Sequence, residues 1–531
     1  MNLLDTPWLP VRLQDGTRTL IRPAEIAAKD NPPVALDSPR ADFNGALAQF
    51  LIGLLQTCLA PKNDDEWEER LERPPTKEQL DAAFSRYHTA FEVDGTGPRF
   101  MQDYDKLESL NGKRKPATNE IASLLIEAPG DNTLRNNADH FIKRGHVEAL
   151  CPVCAVTALF TLQINAPSGG AGHRTSLRGG GPLTTLVAVD LEGSGLPDTL
   201  WHNLWLNVLP ETVRLTGNRK LTGHEYIFPW LAPTRTSEKS QTVTPEDAHP
   251  YQMYWAMPRR IRLDFDHTRD GVCDLCQRKD RLLTHYVTLN YGINYAGAWR
   301  HPLTPYQERD NAEPLPLHPQ PGGITYRHWL GLIYEEPEGK QRVTPAIVVR
   351  EIQSEIRSGR LIVWAFGYDM DNMKPRSWYE AVLPLYQVPD DIRETLARRV
   401  GQLIEAAEVC ANLVRKQVKE AWFKRPGDVR GDTGFLTDAF YQHTEADFYA
   451  LLPALLTALE HGDDGRPLLG QWHRTLTAAA LALFDEHTAS EELAFSDPAR
   501  VALARDKLVK QLYGAKLKKL LLINQPKEKA A

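Results

Sequence analysis

No stretch of this 531-residue chain stays uncharged and apolar for the roughly 20 residues that a membrane-spanning helix needs. The best candidate, Thr475 to Phe484, covers about half that length, so no membrane association is expected. The opening Met1-Asn2-Leu3-Leu4-Asp5 has neither the charged start nor the apolar core of a secretory leader. A reducing, cytoplasmic setting is therefore expected, and disulfides are not. The glycine spacings of a Walker A loop and of a dinucleotide fingerprint are missing, as are a Gly-x-Ser-x-Gly elbow and a His-Glu-x-x-His pair. ATP use and the familiar hydrolase centres thus find no support. Positive charge is also in deficit: 62 Lys and Arg against 69 Asp and Glu give a net charge of -7, the wrong sign for a typical nucleic-acid binder. The last stretch is the exception. From Val501 to Ala531 eight basic residues face two acidic ones.

Cysteine is scarce as well, but four of the six are arranged as Cys151/Cys154 and Cys273/Cys276, two Cys-x-x-Cys pairs with 118 residues between them. Each tight turn puts two thiolates on one side of an ion, and two such turns close a tetrahedron, so a structural Zn2+ site is expected. Disulfides and ordinary buried thiols are the alternatives. With four thiolate ligands no position remains for water or substrate, and such an ion would hold distant segments together without catalysing. His146-Val147-Glu148 ahead of Cys151-Pro152-Val153-Cys154 superficially matches a zinc deaminase, but the elements are crowded and the proline follows the cysteine. Cys58 and Cys410 stand alone on helical patterns and read as core.

The length predicts at least two domains. Up to about Pro384, short apolar runs are broken by Pro and Gly. Trp8 to Leu13 followed by Asp15-Gly16 predicts a hairpin, and Gly45–Leu59 and Thr76–Phe91 predict helices. The fold class expected is α+β: a large mixed N-terminal domain, residues 1–384, carrying the zinc site, followed by an all-α C-terminal four-helix bundle, residues 385–531. Its helices are expected from an Asp390 cap to Phe423, then over Asp438–Leu459, Leu468–His487 and Pro498–Ile523. In the last, Val501, Ala504, Leu508, Leu512 and Ala515 form one buried stripe. The lysines beside it suit a solvated face, a phosphate-facing surface or a protein contact.

Three loops carry the remaining chemistry. Asn165 to Arg174 contains Gly169-Gly170-Ala171-Gly172, and Arg178-Gly179-Gly180-Gly181 follows. Bare amides with His173, Arg174 and Arg178 nearby suit a phosphate backbone, and equally suit a plain flexible turn. Arg135 to Arg144, with Asn136, Asn137, His140 and Phe141, is polar and precedes the first cysteine pair. The third loop, Phe366 to Trp378, follows a strand-like Leu361–Trp364. Asp371, Asn372, Met373 and Lys374 at its tip can enter a groove, bond base edges and wedge an apolar side chain between base steps, or simply form a turn.

These loops and the cysteine pairs resemble the large subunit (CasA family) of the type I-E CRISPR Cascade surveillance complex. So do Asn2-Leu3-Leu4 to Trp8-Leu9-Pro10-Val11, Gly97-Pro98-Arg99-Phe100-Met101-Gln102-Asp103, Glu148-Ala149-Leu150-Cys151, Leu177-Arg178-Gly179-Gly180, Trp299-Arg300-His301-Pro302 and Gly367-Tyr368-Asp369-Met370-Asp371-Asn372. The resemblance spans essentially the whole chain. It implies a noncatalytic subunit of an RNA-guided antiviral complex that recognises the protospacer-adjacent motif (PAM) in double-stranded DNA. The subunit would start duplex opening for the guide RNA and help recruit the helicase-nuclease. The implied partners are the other Cascade subunits, guide RNA, target duplex and that nuclease.

The resemblance also implies roles for positions. Asp371-Asn372-Met373 corresponds to the PAM-contacting wedge, Gly169 to Gly172 to a backbone contact, and Asn136 to Phe141 to a loop touching the PAM region and the RNA end, with His140 or Phe141 as its key aromatic. The C-terminal helices correspond to the bundle that meets the small subunits and displaced strand. Two places depart from the pattern. Asn372 stands where the family has glutamine, and the place of an expected lysine falls near Asn290, with no Lys between Lys279 and Trp299. The alternative expectation is a zinc-stabilised, metal-dependent nucleic-acid enzyme with Asp369 and Asp371 holding magnesium.

Overall fold

The computed structural model describes residues 1–108, 115–137, 145–170, 172–191, 193–336, 341–355, 360–371, 374–489 and 497–523. They divide into two units, Met1–Pro319 with Ala346–Val382, and Gln320–Pro345 with Leu383–Ala531. In the first, the expected hairpin forms: β1 (Leu9–Leu13) pairs antiparallel with β2 (Arg18–Ile21), Leu9 opposite Ile21, across a turn in which Gly16 has φ 87°. β3 (Pro33–Leu36) pairs with the other edge of β1.

The helix α1 (Ala41–Leu59) is apolar almost all round and is buried almost all round, as a central core helix must be. Phe50 on it meets the rings of Trp8, Phe91, Phe100, Phe160 and Trp255 edge-on, with centroids 5.1 to 5.9 Å apart. Edge-to-face geometry matches ring edges to ring faces, and each such pair adds to the area that burial removes from water. The second predicted helix is shorter than expected. Thr76 and Gln79 form a capping box for Lys77–Phe84, and the chain then tightens into a 3-10 turn over Ser85–Phe91.

Next in the chain come β4 (Ala117–Glu120) and α2 (Pro152–Asn165), which packs on α1, then β5 (Thr184–Val189). β6 (Arg260–Leu263), β7 (Thr268–Val272), β8 (Lys279–Leu283) and β9 (His285–Leu289) follow. β9 lies between β4 and β6, and β7 and β8 form a separate hairpin.

The segment expected to be a loop over Phe366 to Trp378 is instead the distal half of a long hairpin, β10 (Arg360–Asp371) and β11 (Lys374–Tyr386). β10 also pairs with β5, from Leu361 opposite Val189 to Phe366 opposite Thr184. Cross-strand aromatics explain why the strands persist: Trp378 lies 5.4 Å from Phe366 and 4.8 Å from Tyr368, centroid to centroid.

In the second unit, α3 (Asp390–Trp422) packs against α4 (Phe435–Glu460), α5 (Arg466–Thr488) and α6 (Pro498–Leu512). Pro389, not Asp390, occupies the cap position of α3, and Asp390 lies in the first turn, where its charge favours the helix N-terminus. The last predicted helix breaks at Gly514 into α6 and α7 (Ala515–Leu520). Ala504, Leu508 and Leu512 are buried as the stripe requires, but the break leaves Ala515 exposed. Tyr326 joins this core, its ring stacked 4.4 Å from Phe448 and its hydroxyl 2.8 Å from Thr444 Oγ1. Among the described residues no helix is long and apolar enough to cross a membrane.

Candidate four-cysteine centre and nucleic-acid interface

Cys151 caps α2, with Pro152 in the first turn and the Cys154 amide donating to its sulfur at 3.4 Å. Cys273 and Cys276 sit in the turn between β7 and β8, where Gln277 takes φ 59° and its amide returns to the Cys273 carbonyl at 3.0 Å. The two turns bring the four Sγ atoms within 4.8 Å of one another, Cys151 and Cys276 at 3.6 Å. Ligands about 2.3 Å from a tetrahedral zinc are separated by roughly 3.8 Å, so this donor set fits the ion. Four crowded sulfurs cannot all ionise alone. Hydrogen bonding to Cys151 and Cys273 pushes the Cys154 thiol up, and hydrogen bonding from Cys151 and Cys154 drives Cys273 down. A dication removes that conflict.

Asp274, inside the second pair, was not anticipated as part of the centre. Its Oδ2 accepts from the amides of Glu148 and Ala149 at 2.7 and 2.8 Å, and Leu150 and Leu283 exchange backbone bonds of 2.9 and 2.8 Å. The chain entering Cys151 is thereby fastened to the second turn with or without metal.

The hairpin of β10 and β11 is stiffened toward its tip. Asp369, 2% exposed, takes both Nη2 and Nε of Arg376 at 2.6 and 3.0 Å. The Tyr368 hydroxyl donates to Asp42 Oδ2 at 2.5 Å. Burial, then the Asp42 carboxylate, push that hydroxyl above its ordinary range, so it remains a donor. Arg40 grips Asp42 at 2.9 Å and Glu127 at 2.6 Å. Burial opposes its charge, and Glu127 and Asp42 overcome that and hold it protonated. Arg40, Asp42, Glu127, Tyr368 and Arg376 line a cleft of about 330 Å³ with Trp378 and Pro375.

The second glycine run joins hairpin and loop. Gly181 has φ 64°, and a Cβ there would stand 2.6 Å from the Tyr368 Cβ. Gly180 abuts Pro167, at the start of the first glycine loop, and Gly172 accepts from the Tyr291 amide at 2.9 Å, next to Asn290. The structure therefore brings Gly169, Gly170, Gly172, Asn290 and the hairpin bearing Asp371 and Lys374 into one neighbourhood. Asp371 and Lys374 are exposed. Asn372, Met373 and Ala171 lie outside the described residues, as do His140 and Phe141. Asn136 and Asn137 are exposed after the short helix Asp131–Arg135, on a segment that leaves from the Arg40-bound Glu127.

Arg178 does not serve as expected. It is 3% exposed and spends its donors on Gln49 at 2.6 Å and on Thr184 and Thr304, both at 3.0 Å, so it cannot reach a phosphate backbone. Asp369 is likewise unavailable to magnesium, since both its oxygens are taken by Arg376. Among the described residues the four cysteines are the one group positioned to hold a metal.

A mixed α+β unit that brings four thiols together, with a helical second unit, defines a large two-part protein carrying a four-cysteine centre. The chain belongs to the CRISPR-associated protein Cse1 family, whose model matches residues 2–483. It shares its fold with Cse1 from Acidimicrobium ferrooxidans, at 20% identity and TM-score 0.66 over 99% of each chain. Thermobifida fusca Cse1 matches at 17% identity and TM-score 0.71 over 98% of each. A chain of a CRISPR RNA-guided surveillance complex matches at 17% identity and TM-score 0.63, covering 97% of this chain and 99% of that one.

Proposed function

We propose that this chain is the noncatalytic large subunit of a type I-E Cascade surveillance complex in the cytoplasm. It recognises the PAM in double-stranded DNA, opens the first base steps so that guide RNA can pair, and helps recruit the helicase-nuclease. The observation that carries this reading is the long hairpin, held at Asp369, Tyr368 and Arg40, with Asp371 and Lys374 exposed at its far end and Gly181 packed against Tyr368. A tip on a stiff support can insert between base steps, and unstacking costs a few kcal/mol that phosphate contacts offset. The RNA-DNA exchange that follows is nearly balanced, so a small bias at its start decides the outcome. Minor-groove readout is degenerate, which favours tolerance of several PAMs.

In this reading zinc is structural and pins the segments around Cys151 and Cys273, which steadies the chain leaving the Asn136 to Phe141 loop. The lysines of α6 and α7 face the displaced strand or the small subunits. The shared fold with a chain of an RNA-guided complex supports assembly with guide RNA and other subunits. The metal-dependent nuclease alternative is weaker because Arg376 occupies Asp369. The test is duplex binding by the reconstituted complex, with and without this subunit, across a randomised PAM library. PAM-dependent affinity is expected only when the subunit is present; equal affinity for all PAMs in both would contradict the reading.

A further inference from the structure

The two Cys-x-x-Cys turns are 118 residues apart, and bringing such distant segments to ligand spacing costs chain entropy. If an ion alone supplied that closure, its affinity would carry the whole cost and the turns would part when it left. The contacts around the centre are arranged differently. The Asp274 carboxylate reaches out of the second turn, its Oδ2 accepting from the Glu148 and Ala149 amides at 2.7 and 2.8 Å, and the Asp274 amide donates back to the Ala149 carbonyl at 3.1 Å. Leu150 and Leu283 continue this pairing with backbone bonds of 2.9 and 2.8 Å. The clamp therefore runs up to the position directly before Cys151 and begins at the position directly after Cys273. No sulfur takes part in it.

The second turn is closed by bonds of its own. The Gln277 side chain donates to the Asp274 carbonyl at 3.1 Å, and the Cys273 amide donates to the Arg278 carbonyl at 2.9 Å. Asp274 is the residue that both sets of bonds share. The four thiols themselves differ in exposure: Cys151, Cys154 and Cys273 are 1%, 4% and 0% exposed, whereas Cys276 is only half-buried. Its sulfur lies 3.6 Å from that of Cys151, so the thiol that solvent reaches already touches one that solvent does not. Ions, chelators and thiol reagents all meet Cys276 first.

We propose that Asp274 is a positioning residue that holds the two cysteine turns at ligand spacing before any ion binds, and that Cys276 is the thiol through which the centre is filled and emptied. Metal occupancy can then change without the segments around Cys151 and Cys273 separating. Emptying the centre removes the stabilisation that binding adds but leaves the clamp closed. None of this depends on how the chain engages DNA.

The test uses the full chain as wild type, Asp274→Ala and Asp274→Asn, each loaded with Zn2+ and again after removal of the ion by a chelator under reducing conditions. Loss of a partner that orients metal ligands weakens metal binding by about 10- to 100-fold, so Asp274→Ala should bind Zn2+ at least about tenfold more weakly in chelator competition. Asp274→Asn keeps an acceptor oxygen for the two amides and should recover most of that loss. Hydrogen exchange by mass spectrometry over His146–Leu150 should stay slow in metal-free wild type, become fast in metal-free Asp274→Ala and slow again when Zn2+ is restored. Iodoacetamide should label Cys276 ahead of the other three thiols in metal-free wild type, and Asp274→Ala should lose that order. Wild-type Zn2+ affinity in folded Asp274→Ala overturns the positioning role. Equal labelling of the four thiols in metal-free wild type, or loss of its amide protection on emptying, overturns the preformed centre whether or not the variant folds.

Discussion

The ion pair of Asp369 and Arg376 allows an asymmetric perturbation of the hairpin. The two side chains share bonds of 2.6 and 3.0 Å, but their exposures differ: 3% for the Asp369 side chain and 44% for Arg376. Removing Asp369 leaves a guanidinium that water can reach, and solvent screening limits the loss to about 1 kcal/mol. Removing Arg376 strands a buried carboxylate, which costs about 3 kcal/mol. Because strand pairing at the far end of the hairpin can open without global unfolding, these values convert to local opening. Hydrogen exchange by mass spectrometry over Phe366–Trp378 should therefore accelerate about fivefold in Asp369→Ala and on the order of a hundredfold in Arg376→Ala. Duplex binding by the complex should weaken in the same order. Equal acceleration, or the reverse order, would refute the claim that burial of Asp369 governs hairpin stiffness.

Elemental analysis should return about one zinc per chain, and Cys273→Ser should release it and lower the melting temperature; a metal-free chain with unchanged melting would exclude the structural role. His328 is pushed down to about 4 by burial and then by Arg327, whose Nε donates to its Nε2 at 3.2 Å. Its folded pKa lies below the unfolded value near 6.5, so stability is complete above about pH 6.5 and falls by up to about 3 kcal/mol as pH drops toward 4. Hydrogen exchange across the bundle should show this loss and His328→Gln should flatten it; an identical acid profile in the variant would contradict it. Gly181→Ala, at φ 64° and 2.6 Å from the Tyr368 Cβ, should destabilise by roughly 2 kcal/mol or more, whereas Gly97→Ala, open on all sides, should change thermal stability by under about 1 kcal/mol.

The cysteine centre was legible because four ligands in two short turns constrain geometry by spacing alone. The bundle was legible because a 3.6-residue period survives for many turns, although the break at Gly514 was not. The hairpin does not show in the sequence because Asp369, Asp371, Lys374 and Arg376 look like turn chemistry, while the aromatic contacts that extend the strands cross between segments. Arg178 shows the same limit: a sequence displays a charge but not its direction. The Arg40–Glu127 pair spans 87 positions and leaves no local signal, and the capping Asn63 of the unexpected helix Asp64–Glu72 was outweighed by that helix's polar composition. Several segments that carried the family resemblance are packing elements. Phe100 and Trp299 are buried, and His301, fully buried, accepts from the Leu303 amide.

The claim that the hairpin tip opens the duplex is tested most directly with a fluorescent base analogue placed in the first base pair beside the PAM, in a target bound by the reconstituted complex. Unstacking should brighten the probe with wild-type chain and a permissive PAM, and Asn372→Gly with Met373→Gly should abolish most of that signal while complex assembly is retained. Undiminished brightening in the double variant would contradict the account.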